Sequence, residues 1–265
     1  ILSGVSNAQS IEEVENFLAW LGVRKFPRCH LIEIEGYQNK NKYWEYQFDT
    51  KEYVYCGQDT YRKNSYFEIS KILVNQFENL EEIITRAKFE DVLLWMMTDS
   101  RFKAIQEAGD AEAWRGAKIV GKGYSQRNYR ETSYWGMRSY ILWRIKETEW
   151  VQADSKKVSP LECCFKNDDL KDLIYKPVID YAYLKEQGIL YNRKQIEGLL
   201  NFLGVANVFY EMDKRQIYKV LLALPEYDEK CNLGKRMYES LIDNIGSIDK
   251  LISDNESYNY FLRNG

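Results

Sequence analysis

The chain has 265 residues, 45% hydrophobic and 29% charged, which suits one large core or two modest ones and excludes a disordered polymer. Its net charge of −3 gives no global electrostatic drive toward nucleic acid or anionic lipid, so such partners would need a local patch. No apolar run approaches the roughly 20 residues that cross a bilayer.

The first predicted element carries a phrase that returns 182 positions later. Ser10-Ile-Glu-Glu13-Val14-Glu-Asn-Phe17-Leu18-Ala-Trp20-Leu21-Gly22-Val23 is matched by Asn192-Arg-Lys-Gln195-Ile196-Glu-Gly-Leu199-Leu200-Asn-Phe202-Leu203-Gly204-Val205. Each copy opens on an N-cap residue with Glu or Gln three positions on. Apolar residues then recur at helical spacing, and a glycine suits the left-handed helix exit. Two related helix-turn modules are therefore expected, with Trp20, Phe202 and the Leu-Gly-Val exits organising the core.

Cys29 to Ile34 alternates like a strand. Trp44, Tyr46 and Phe48 also alternate, and Tyr53 and Tyr55 follow a turn, so an aromatic β-hairpin is expected from Tyr43 to Tyr55. Phe67, Ile69, Ile72, Leu73, Phe77 and Leu80 fit a helix, as do Phe89, Val92, Leu93 and Met96. Gly109 to Gly123 reads as a loop. A helix over Met137, Tyr140, Ile141 and Ile145 leads into a short hairpin between Trp150 and Pro160. Beyond Pro177 the pattern is mostly helical: Asp213 caps a helix that Pro225 ends, and Asn232 caps another with Met237, Leu241, Ile242 and Ile245 inside and Gly246 at its exit. The expected class is α+β, helix-rich with small antiparallel hairpins, divided into residues 1–160 and 161–265.

Catalytic equipment is sparse. His30 is the sole histidine, so any His-based triad, general base or zinc site would rest on it unaided. It sits at the edge of an apolar strand, where a packed or surface imidazole is the plainer account. Five cysteines, odd in number and without a Cys-x-x-Cys, point to reduced thiols and a cytoplasmic location. Gly116-Ala-Lys-Ile-Val-Gly-Lys-Gly123 nearly spells a phosphate-binding loop, but glycine stands where the Mg²⁺-ligating Ser or Thr belongs. Glu45-Tyr-Gln47 is the nearest relative of a nuclease Glu-x-Lys, and the chain has no Glu-x-Lys. The Leu-Gly-Val turns lack the second glycine of a helix-hairpin-helix. No catalytic residue, metal site or cofactor is expected.

One stretch suggests a partner. From Arg115 to Lys146 stand Arg115, Lys118, Lys122, Arg127, Arg130, Arg138, Arg144 and Lys146 against a single acid, Glu131. Tyr124, Tyr129, Tyr134, Trp135, Tyr140 and Trp143 are interleaved with them. Cations that neutralise phosphates and rings that stack on bases are the elements of single-strand binding. Arg115, Lys118, Lys122, Tyr124, Arg127, Tyr129, Arg130 and Arg138 are the candidate nucleic-acid contacts. The alternative is an amphipathic helix whose rings lie in the core, beside a solvated loop.

Four phrases together resemble segments of large proteins that carry a sacsin-like, Hsp90-type ATPase domain. They are Phe17-Leu-Ala-Trp-Leu-Gly-Val-Arg-Lys-Phe-Pro-Arg28, Tyr140 to Asp154 with Ser159-Pro160, Leu199 to Val205, and Leu221-Leu-Ala-Leu-Pro225-Glu-Tyr-Asp228 with Arg236-Met-Tyr238. The resemblance implies an ATPase-linked scaffold, chaperone-like or defence-related. The nucleotide site of that family needs an Asp-x-Gly box, and this chain contains none, so any ATPase domain is expected outside it. The start at Ile1 and the ending at Tyr260 to Gly265 lead us to expect an interior piece of a longer protein. The expected function is a noncatalytic scaffold that binds a protein partner or adjacent domains of the same parent chain. The alternative is a nucleic-acid-binding module within a bacterial defence protein. No membrane partner is expected.

Overall fold

The computed structural model describes residues 11–21, 26–48, 54–56, 59–62, 65–125, 128–154, 156–166, 173–187, 193–227 and 232–245. Its centre is an antiparallel sheet organised on one long strand, β4 (Ser65–Phe77). One edge of β4 pairs at its start with β3 (Asp59–Arg62), which pairs in turn with β2 (Val54–Cys56), and at its end with β1 (Cys29–Glu33). The other edge pairs with β5 (Lys118–Ser125), and β6 (Asn128–Tyr134) closes that side. The class is α+β, as expected, with a sheet of six strands beside the two-stranded hairpin described below.

Two sequence expectations change places here. The segment read as a helix is β4, and the reason is a bulge between Ile69 and Lys71. One extra residue shifts the alternation, so Ile69 and Ile72 are both buried three positions apart, which mimics a helical repeat. Conversely, the segment read as an aromatic hairpin is helical from its start: α2 spans Tyr37–Phe48. Tyr43 and Trp44 are buried while Tyr46 and Gln47 are half-buried, so the packed face follows i, i+3, i+4 and not alternation. Aromatic side chains raised the strand signal, yet the helical stretch Tyr37–Phe48 holds no β-branched residue. The expected loop before Gly123 contains β5, whose glycines sit inside a strand.

Elsewhere the helical readings hold, except that Met137 precedes the helix expected to contain it. After α1 (Ile11–Trp20) and α2 come α3 (Leu80–Arg86), α4 (Phe89–Thr98), α5 (Ser100–Ala108) and α6 (Tyr140–Glu147). The expected hairpin is β7 (Val151–Gln152) with β8 (Lys157–Val158), followed by a 3-10 turn, Pro160–Glu162. Then follow α7 (Tyr181–Glu186), α8 (Arg193–Phe202), α9 (Lys214–Tyr227) and α10 (Asn232–Ile245). α9 runs two residues past Pro225 rather than ending there. In α10, Met237 and Leu241 face inward as expected, but Ile242 is 55% exposed. Tyr53 and Gly246 lie outside the described residues.

Three buried clusters hold these elements. The largest joins Phe77, Phe89, Leu93, Phe102, Ile141, Trp150, Cys163, Leu199 and Leu203, so residues before and after 160 share it. Trp150 is fully buried and donates from Nε1 to the Ile145 carbonyl at 2.9 Å. A second cluster packs Tyr43 and Trp44 of α2 on Ile72 and Val74 of β4, with Tyr140 and Trp143 of α6. A third gathers Cys164, Ile174, Ala206 and the inner faces of α9 and α10. No helix among the described residues is long and apolar enough to cross a membrane.

Candidate interaction surfaces

The basic-aromatic stretch does not stay together in space. Arg138 is committed to the interior side of the fold. Its Nε bonds Asp110, whose other oxygen accepts from the Tyr46 hydroxyl, and its Nη1 donates to the Tyr46 carbonyl at 2.7 Å. Its guanidinium carbon lies 4.3 Å from the Tyr46 ring centroid. Gln47 bonds both the Arg138 amide, at 2.8 Å, and its carbonyl, at 3.2 Å. This latch ties α2 to the chain on either side of the β5–β6 hairpin, and it leaves Arg138 occupied. Tyr140 and Trp143 are core residues, 5.2 Å and 5.6 Å from Tyr43 between ring centroids. Arg144 bridges to Glu81 at 2.8 Å. Burial pushes the Lys146 ammonium pKa down, with Asp110 opposing.

Lys118, Lys122, Tyr124, Tyr129 and Arg130 lie on the β5–β6 hairpin. Arg115 is exposed. Lys118 holds its ammonium 5.3 Å from the ring of Trp135, which is 63% exposed. The register sets Lys122 between Glu68 and Glu131, Arg130 opposite Gly123, and Tyr124 between Tyr66 and Tyr129. Arg127 lies outside the described residues. The glycine-rich phosphate-loop reading does not survive, because Lys118 to Gly123 is paired strand on both edges rather than a loop opening a helix.

His30 lines an open cleft of about 460 Å³ with Arg28, Cys29, Glu78 and Arg101. Cys29 and His30 are neighbours on a strand, so they point to opposite faces: Cys29 packs on the main core and His30 is exposed. Burial pushes the Cys29 thiol up to about 11, with Arg101 opposing. Arg101 is itself paired with buried Asp99 through Nε at 3.0 Å and Nη2 at 2.7 Å. Cys29 and His30 therefore do not form a nucleophile–base pair, and Arg101 of the cleft is matched by Asp99. Glu45 and Gln47, the nuclease-like pair, lie on α2, with Gln47 spent on the latch. Among the described residues no group of three or more His, Cys, Asp or Glu side chains converges as a metal site.

Glu112 is a feature the sequence did not flag. One oxygen accepts from Asn75 at 3.1 Å and the Trp114 amide at 3.4 Å, while Oε2 is buried with no partner among the described residues. Burial pushes its pKa up against those hydrogen bonds.

The duplicated helices give the clearest contrast. Both run ten residues with aligned ends, and the bond from Leu21 N to the Phe17 carbonyl, 3.0 Å, repeats as Leu203 N to the Leu199 carbonyl, 3.0 Å. Beyond Leu21 the first exit, including Gly22, lies outside the described residues. In the second copy, Ile196, Leu199, Leu200 and Leu203 are all at most 3% exposed. In the first, Phe17 is 57% exposed, Trp20 79% and Leu21 54%. Phe17 and Trp20 stack on each other, ring centroids 6.1 Å apart, and no described α1 residue enters a core cluster. The expectation that Trp20 organises the core is therefore wrong, whereas Phe202 does pack against it. Spacing alone showed an apolar face on both helices; it carried no signal for what covers each.

No protein-family model matches the chain, and neither a curated protein nor a solved structure does.

Proposed function

We propose that this polypeptide is a noncatalytic interaction scaffold whose contact surface is the apolar face of α1. The observation that supports it is the inequality between the two copies: Leu199 and Leu203 are buried while their counterparts Phe17 and Leu21 are exposed, together with Trp20. A contiguous aromatic–aliphatic patch of this kind marks a recognition surface more often than an idle one. Rigid aromatic anchors are also what protein interfaces concentrate at their centres. The resemblance to sacsin-like proteins would set this scaffold beside an Hsp90-type ATPase domain of its parent. Nucleic-acid binding is the second reading, and it rests on Lys118 beside the exposed Trp135.

Site-specific photocrosslinking in cells that naturally express the protein tests both. A benzophenone side chain at Phe17 should give a discrete, protease-sensitive adduct that a control at exposed Lys103 does not. The same probe at Trp135 reports on the second reading. A nuclease-sensitive adduct at Trp135, with none at Phe17, would move the assignment to nucleic acid.

A further inference from the structure

A groove along the start of β1 offers chemistry of a different kind from α1. Its first lobe, an open cleft of about 360 Å³, is lined by buried Val92 with half-buried Phe26, Pro27, Ile83, Ala87 and Trp95. Its second lobe is the cleft of about 460 Å³ at His30, and the two adjoin because Arg28 and Glu78 line both. The Glu78 amide donates to the Arg28 carbonyl at 2.7 Å, next to the paired Cys29 and Phe77. Both side chains are exposed, and neither has an ion pair or hydrogen bond among the described residues. The other charged groups of the groove are occupied: Asp91 accepts from the Tyr183 hydroxyl at 2.7 Å, and Arg101 is paired with Asp99.

An unpaired cation and an unpaired acceptor thus stand where an apolar lobe meets a polar one. A ligand that satisfies all three carries a bulky apolar group, a carboxylate and an N–H donor on one carbon or next to it. The last residue of a peptide has that layout. We infer that the groove binds the C-terminus of a partner polypeptide that ends in a bulky apolar residue. The terminal side chain enters the lobe at Val92, the terminal carboxylate accepts from the Arg28 guanidinium beside His30, and the last amide N–H donates to Glu78. Among the described strands β1 pairs with β4 alone, so its other edge has no ladder, which suits an extended peptide more than a compact small molecule. This is a second contact of the scaffold, independent of α1.

His30 supplies the reporter, because the sole histidine of the chain gives a single set of imidazole signals in NMR spectra of the full protein. At fixed pH, acetyl-Ala-Ala-Phe with a free carboxylate should shift those signals along a saturating curve at up to millimolar peptide. The C-terminal amide of the same peptide, and acetyl-Ala-Ala-Ser with a free carboxylate, should each bind at least about tenfold more weakly. Arg28→Gln should weaken the first peptide by about tenfold and leave its amide unchanged. The variant should keep the parent Tm, since the Arg28 side chain has no partner to lose. An unmoved His30 signal at millimolar peptide would overturn the inference. So would equal affinity for acid and amide, equal affinity for the Phe and Ser termini, or an Arg28→Gln protein that binds the acid as the parent does.

Discussion

Glu112 and Asp99 are carboxyl groups whose pKa values shift in opposite directions although burial raises both. At Glu112 desolvation prevails, because one oxygen has no partner, and the folded-state pKa rises. At Asp99 burial also pushes upward, but hydrogen bonds from the Arg101 side chain and amide and from Trp95 outweigh it, and the pKa falls. A raised carboxyl pKa gives stability that is present below the unfolded value of about 4.3 and is lost as pH rises through the folded value. A lowered one gives stability present above about 3.9 and lost as pH falls through the folded value. Melting curves should show both signs. The Tm of Glu112→Gln relative to the parent should climb between pH 4 and pH 8, while Asp99→Asn should be most costly near pH 7 and lose its deficit in acid. Relative Tm values that stay flat with pH would contradict these assignments. Glu112 was not legible beforehand, since its partner Asn75 comes from a distant strand, whereas the partners of Asp99, Trp95 and Arg101, are its sequence neighbours. His30 was legible as a surface imidazole on a strand, because the alternation from Cys29 onward sets it on the face opposite the core-facing thiol.

At the level of elements, segments with an unbroken period were readable and those with a defect were not. α4, α6 and the β7–β8 hairpin follow their hydrophobic spacing, capping residues and turn. β4 misleads because its bulge resets the alternation, and α2 because aromatic residues stand in for a strand signal. The glycine exit of α8 was readable for a reason its geometry shows. Gly204 adopts φ +111°, which side-chain-bearing residues avoid, and it faces Leu161 at closest approach. Gly204→Ala should therefore cost about 2 kcal/mol through strain and displacement of Leu161. The expected thermal shift is a fall of roughly 5 °C. An unchanged Tm would mean that the exit is not held against the 3-10 turn.

Over the whole molecule, the basic-aromatic stretch shows how a linear cluster can be divided by folding. Arg138 serves the latch, Tyr140 and Trp143 the core and Arg144 an ion pair with Glu81, while Lys118 and Trp135 remain at the surface. The duplicated helices show the reverse, a linear similarity that folding turns into a difference in burial. That difference underlies the account of the chain as a scaffold, and paired substitutions at Leu21 and Leu203 test it most directly. Leu203 is fully buried and Leu21 is 54% exposed, although they occupy the same place in the repeated phrase. Leu203→Asp should cost more than about 4 kcal/mol by burying an unpaired charge. Leu21→Asp should leave Tm within about 2 °C of the parent. Equal damage from the two substitutions would show that α1 is buried like its counterpart, and would contradict the account.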